Sequence, residues 1–227
     1  MKKIIIAWLV IKYITLATTP LFGADFNSAF VRTIQYEGVA FTAFKWDNDG
    51  GGTKYGFTLK RYKQIAKTDN SIDPATGKRY IYDVNGDGVI TATDLRKVKI
   101  KTIKHLYKKY YWDAVGGDKI HNQLLAESFY DYLVNGGLST RKIQSIVGVK
   151  QDGKLGAKTF EAINDPKNIC SHIKKTTKSR ANWLFVVMKK ARPTTYKLCK
   201  TGWSNRLNKF VQQYNSQCNE KLPYYRV

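Results

Sequence analysis

The sequence predicts a mainly α fold with one small β element inserted after the first helix, and three observations carry that reading. Phe26, Phe30 and Ile34 recur four residues apart, and Glu37 follows three later. Residues 55–58 alternate like a short strand directly behind a glycine-rich turn. From residue 95 onward, apolar residues return at helical spacing in segment after segment.

Residues 1–24 combine Lys2 and Lys3, an apolar run from Ile4 to Ile11, an interruption at Lys12 and a small residue, Ala24, before Asp25. That is the pattern of a secretory signal. Lys12 would be costly in the middle of a bilayer, so the expectation is export to the periplasm or the exterior, with a cleaved leader or an anchor released later.

The first helix carries its apolar stripe to Glu37. A carboxyl leaving an apolar face is partly desolvated, which suits it to general-acid chemistry, and Gly38 can end the helix at positive φ. The run Trp46-Asp47-Asn48-Asp49-Gly50-Gly51-Gly52 supplies two aspartates on permissive backbone. A strand starting near Thr53 would then set Glu37 and an aspartate across a cleft. Glycoside hydrolysis uses such a pair, one group as acid and the other to activate water or attack carbon.

Residues 59–66 read as a helix and 69–79 as a polar loop on the cleft rim. Residues 83–94 place Asp83, Asn85, Asp87 and Asp94 at the ligand spacing of a calcium loop, with the Val89 carbonyl between them and Gly88 at the bend. One reading is a structural Ca2+, and the other is an Asx-rich turn that caps the next helix. Residues 95–110 predict a basic amphipathic helix ending at Tyr110-Tyr111-Trp112, rings that suit either a sugar face or a core. In 123–137, Asp131 and Asn135 stand at i and i+4, either to bond an N-acetyl sugar or to tie the helix to the catalytic loop. Glu127, one turn away, is a rival acid. Residues 143–163 read as two short helices, and 179–190 and 196–214 as two longer ones parted by Pro193.

Lys and Arg number 39 against 17 Asp and Glu, a net charge of +22. Such charge attracts anionic polymers, but no zinc-finger spacing, RNP pattern or separate basic tail accompanies it. Anionic cell-envelope polymers are therefore expected as partners rather than a specific nucleic acid. Three histidines without ligand spacing argue against a zinc hydrolase. Cys170, Cys199 and Cys218 allow one disulfide in an oxidising compartment, with all three pairings open.

Taken together, Glu37-Gly38, an Asp followed by Gly50, Gly51 and Thr53, Gly56-x-Thr58, Tyr111-Trp112, Asp131 with Asn135-x-Gly137, and Trp203 with Arg206 resemble the glycoside hydrolase family 108 muramidases. The resemblance implies a lysozyme-like α+β fold and cleavage of the β-1,4 bond between N-acetylmuramic acid and N-acetylglucosamine in peptidoglycan. Glu37 would be the acid, Asp47 would activate water and Thr53 would help place it, because Asp47 and Thr53 keep the spacing of phage-type lysozymes. Asp49 is the alternative base, since Asn48 stands where the family has Asp; Val39 replaces a second glycine. Substrate contacts would come from Tyr111, Trp112, Asp131 and Asn135, and catalysis would need no cofactor. The implied organisation is a catalytic region at 25–135, carrying the 83–94 loop, followed by a helical region at 136–227 that resembles a peptidoglycan-binding module. The competing reading is a non-catalytic protein that binds wall glycan.

Overall fold

The computed structural model describes residues 23–43 and 51–227. Most of the leader lies outside the described residues, as do both candidate bases, Asp47 and Asp49.

Helix α1 (Phe26–Glu37) starts where the Asp25 carboxylate accepts the amides of Asn27 and Ser28 at 2.9 and 3.0 Å. Its fully buried face is Phe26, Ala29, Phe30 and Thr33, and Ile34 of the expected row is half-buried against the same core. Glu37 still ends the stripe, one turn beyond Thr33. Gly38 follows at the positive φ expected, +74°, with ψ 170°, outside the left-handed helical region.

Strands β1 (Thr53–Lys54) and β2 (Phe57–Thr58) pair antiparallel, Lys54 opposite Phe57. The segment read as one strand is thus the turn and second arm of a hairpin. Tyr55 and Gly56 form its two-residue turn, both at positive φ (+52° and +78°), as the strand-matching primed turns require. Helix α2 (Leu59–Ala66) follows at once, with the Thr58 side chain as its cap.

The next loop contains a second hairpin, β3 (Ile72–Asp73) and β4 (Lys78–Arg79). Asp69 turns inward instead of joining the rim, and its carboxylate accepts from Ser71, Tyr82, His105 and Lys109. The basic helix read over 95–110 is split into α3 (Ala92–Lys97), α4 (Ile100–Tyr107) and a π-helical turn at Lys108–Trp112. Val98 makes the break, extended at ψ 136° with its side chain in the core.

Helix α5 (Gln123–Val134) is buried along nearly its whole length. Around it stand α1, α8 (Ile169–Asn182) and α10 (Pro193–Gln217). Between α5 and α8 lie the short helices α6 (Thr140–Val147) and α7 (Ala157–Asn164). A π turn (Trp183–Val187) carries α8 into α9 (Met188–Ala191), and Pro193 opens α10 where its missing N–H costs nothing. The fold is mainly α and lysozyme-like, with two small hairpins among the described residues.

One aromatic-rich core holds these parts together. Phe26 meets Trp112 at 5.7 Å between centroids, Phe30 meets Tyr107 at 5.8 Å, and Phe57 of the hairpin meets Tyr107 at 4.8 Å. Ile143, Ile146 and Val147 of α6 and Ile163 of α7 join the same core, so these helices share their interior with the catalytic region. Among the described residues no helix is long and apolar enough to cross a membrane.

Cys170 and Cys218 form a disulfide that ties the start of α8 to the end of α10, 48 residues apart. Closing a loop of that length restricts the unfolded chain, so replacing both cysteines with alanine should lower the unfolding free energy by roughly 2–4 kcal/mol. Urea denaturation of the two proteins, compared with the parent under reductant, measures it. A difference below about 0.5 kcal/mol would show that the bond constrains little.

Candidate active site

Glu37 sits where α1, the first hairpin and α10 converge. Its side chain is 22% exposed, so one side remains open to solvent. The Arg206 Nη1 donates to Oε1 at 2.5 Å. The other oxygen, Oε2, faces the Tyr55-Gly56 turn closely enough that a Cβ on Gly56 would stand 2.9 Å from it and 2.5 Å from the Tyr107 hydroxyl. That hydroxyl donates to the Tyr55 carbonyl at 2.8 Å, which fixes the turn against the core.

Arg206 is itself held rigidly. Its Nε and Nη2 grip Asp131 with bonds of 2.9 and 2.5 Å to Oδ1, and its guanidinium lies 4.9 Å over the Tyr36 ring. Asp131 also pairs with Arg180, whose Nη2 donates to Asn135 Oδ1 at 2.5 Å. The cluster therefore alternates Glu37, Arg206, Asp131 and Arg180; the last three are shielded from water, and Glu37 is its one partly open member. Burial pushes the Asp131 carboxyl up, but the Arg180 and Arg206 guanidinium groups outweigh it and hold it below the usual aspartate range. Burial likewise disfavours charge on Arg206, and Asp131 with Glu37 more than restores it.

The substrate-contact residues read from sequence fare differently. Asp131 is 3% exposed with both oxygens occupied by arginine, and Asn135 serves the same network, which joins α5 to Glu37 through Arg206 and leaves no Asp131 oxygen open to a sugar. Trp112 is 0% exposed, its indole N–H on Asp118 at 2.7 Å, which removes it as a sugar platform. Tyr111 is half-buried, 5.9 Å from the Phe57 ring. Glu127 is buried against Arg32 at 2.6 Å and Gln123 at 2.7 Å, and burial pushes its carboxyl up; with no open face it is no rival to Glu37. Thr53 bridges Thr42 through two backbone bonds of 2.7 and 2.9 Å, placing it beside the chain that leaves Gly38.

In the 83–94 loop, Asp83 accepts the amides of Gly86 and Gly88 at 2.8 and 2.7 Å, and Asp87 accepts that of Val89 at 2.9 Å. Asp94 receives the amides of Val84, Asn85 and Thr91 and the Thr91 hydroxyl, completing a capping box for α3. Those four donors fill its lone pairs, so Asp94 is the member least suited to a cation. Among the described residues, no three His, Cys, Asp or Glu side chains converge as metal ligands.

Residues 30–137 match the family model described as glycosyl hydrolase 108. Those residues belong to glycosyl hydrolase 108. That match supports, in general terms, a glycosidase acting on peptidoglycan. The glycosyl hydrolase 108 match takes in Glu37, the hairpin, Asp131 and Asn135, whereas Arg180 and Arg206 lie beyond it. Among solved structures, the fold is similar to that of Brucella abortus SagA, with a TM-score of 0.61 over 86% of this chain and 96% of that one at 21% identity. That likeness speaks for the fold. No curated protein sequence matches the chain.

The close approach at Gly56 makes a prediction for this glycosyl hydrolase 108 site. Gly56→Ala places a methyl group on Glu37 and forces positive φ on a residue that resists it, so turnover should fall about 10²-fold, as for reacting groups displaced by an ångström. Stability should fall by only about 1–3 kcal/mol. Gly77→Ala is the control: φ is +65° there, but nothing lies within 4 Å of the new Cβ. Equal turnover in the two variants, measured well below their unfolding temperatures, would break the link between the turn and Glu37.

Proposed function

We propose that the protein is an exported muramidase that cleaves the β-1,4 bond between N-acetylmuramic acid and N-acetylglucosamine. The supporting observation is the asymmetric hold on Glu37. Arg206 donates to Oε1, so in the protonated acid that oxygen is the acceptor and Oε2, on the hairpin side, carries the proton. From Oε2 the proton passes to the glycosidic oxygen as the C–O bond breaks and oxocarbenium character develops at the sugar. In this proposal Asp47 activates water on the opposite sugar face, Thr53 helps place that water, and the anomeric centre inverts; Asp49 is the alternative base. An Asp47 carboxyl within about 5 Å of Glu37 would instead support a covalent, retaining route.

Product analysis tests the bond. Purified peptidoglycan digested by the protein should yield fragments with N-acetylmuramic acid at the reducing end, read by mass spectrometry. N-acetylglucosamine at the reducing end would reassign the enzyme to the other glycosidic bond. Wall binding without any reducing ends would favour the non-catalytic reading.

Calcium remains part of the proposal as a structural ion held by Asp83, Asn85, Asp87 and the Val89 carbonyl, with Asp94 only by exchange of its present donors. At a calcium concentration 100 times its dissociation constant, binding should stabilise the fold by about 2.7 kcal/mol. Asp83→Asn with Asp87→Asn should remove that gain. No calcium-dependent shift in the thermal midpoint of the parent would leave the loop as an Asx turn that caps α3.

A further inference from the structure

Apart from the Glu37 cluster, the structure has a partly open cavity of about 520 Å³ between the second hairpin and the start of α4. Its walls include Lys78, Arg79, Lys99 and Lys101, with Tyr80 and Ile81 as apolar surface. The acid among its lining residues, Asp73, is already committed: Lys101 Nζ lies 2.6 Å from it, and the Ala75 amide and Thr76 hydroxyl donate to it at 3.1 Å. Among the described residues, Lys78, Arg79 and Lys99 face no carboxylate within ion-pair distance. Three uncompensated cations around a concave space favour an anion there.

The cavity has one fixed wall. The Tyr80 ring stacks on His105 at 4.0 Å and 9°, and His105 Nε2 lies 2.9 Å from Asp69, the buried carboxylate that also accepts from Ser71, Tyr82 and Lys109. A stacked, anchored ring beside long cationic side chains suits a ligand with short apolar parts and charged ends. The volume falls in the range of small-ligand sites, too small for a duplex nucleic acid to enter.

The cavity also lies along the same helix as the catalytic turn. Lys101 and Tyr107 are six residues apart on α4, about 9 Å, and the Tyr107 hydroxyl holds the turn that touches Glu37.

We propose that this cavity is an accessory anion site that grips the oxyanions of a wall polymer, the carboxylates of the peptide stems on muramic acid or the phosphodiesters of an attached phosphate polymer. The proposal rests on peptidoglycan being the substrate. Part of the basic surface would then retain the strand while its backbone lies at Glu37.

Binding is measured in the full chain carrying Glu37→Gln, so that turnover plays no part. Lys78→Gln/Arg79→Gln/Lys99→Gln is compared with Lys190→Gln/Arg192→Gln/Lys197→Gln, an equal charge loss on exposed residues around α9 and the start of α10. The probes are peptidoglycan with intact stems and no phosphate polymer, the same glycan stripped of stems by an amidase, and a soluble glycerol-phosphate polymer. The cavity triple should lose about tenfold affinity for one anionic probe, while the control triple stays within about twofold. Loss on the stem-bearing wall but not on stripped glycan, which keeps only the lactyl carboxylate of muramic acid, assigns the site to the stem carboxylates; loss on glycerol phosphate assigns it to phosphodiesters. Equal losses in the two triples would reduce the effect to net charge and overturn the site, as would no loss on any probe. Failure of the parent enzyme to release reducing ends would count against the muramidase reading and leave this binding comparison intact.

Discussion

Glu37→Gln should reduce release of reducing ends from peptidoglycan by roughly 10²–10⁴-fold, the usual contribution of a general acid, while leaving the chain folded and bound to the wall. The substitution is close to isosteric. Its amide oxygen can still accept from Arg206 Nη1 in the place of Oε1, so the link from α1 to α10 survives. The amide nitrogen then falls where Oε2 faces the hairpin, and it has no acidic proton to give to a leaving oxygen. Arg206 loses one of its two anionic partners but keeps Asp131 through two donors, so the stability cost should stay near 1 kcal/mol. Denaturation and cosedimentation with the wall verify the fold and the binding, and reducing-end release gives the rate. Turnover close to the parent's would remove Glu37 as the acid and direct attention to Asp47 and Asp49, since Glu127 has no open face.

What the sequence disclosed of this site follows from how local each signal is. The stripe of α1 recurs at intervals of one turn and carries Glu37 at its end, so the helix and the place of Glu37 on it are both legible. The span of α2 is legible for the same reason. The hairpin was half legible: glycines marked the region, but Tyr55 at φ +52° gave no warning, because tyrosine rarely adopts that conformation. The break at Val98 was hidden too, since neither glycine nor proline stands there and the driving force is burial of its side chain among residues distant in sequence. Arg206 stands out in the sequence only beside Trp203, and Arg180 not at all. A signal did exist. Arg180 lies four after Thr176 and seven after Ile173, and Arg206 four before Phe210, all buried, so each arginine interrupts an otherwise buried helical stripe. In a chain with 39 basic residues, most of them solvated, that pattern is easily passed over. Which carboxylates they meet depends on contacts across 169 and 75 residues, beyond any local pattern.

Arg206 carries the second large effect, and its two roles can be separated. Arg206→Met removes a buried cation that faces two carboxylates, a change that typically costs 3–5 kcal/mol; Arg180 still neutralises Asp131, so a loss of about 3 kcal/mol is expected. Turnover should collapse with it, which alone would not tell positioning from unfolding. Arg206→Lys is the discriminating variant. It keeps the charge, but a single ammonium cannot grip Asp131 through two donors and reach Glu37 with a third. Its stability should therefore fall less than that of the methionine variant, while kcat falls about 10–100-fold with KM little changed, because the acid is misaimed rather than the glycan released. Asp131→Asn completes the comparison: it loosens the anchor of Arg206 without touching Glu37, and it should reproduce the kcat loss in part. In a double-mutant cycle the Arg206→Lys and Asp131→Asn effects on kcat should be markedly less than additive, since either change undoes the same alignment. Steady-state kinetics at a temperature where every variant is fully folded, beside urea denaturation, would measure both quantities. A lysine variant with parental kcat, or additive losses in the cycle, would make the arginine a purely structural tie and leave the aim of Glu37 to the hairpin alone.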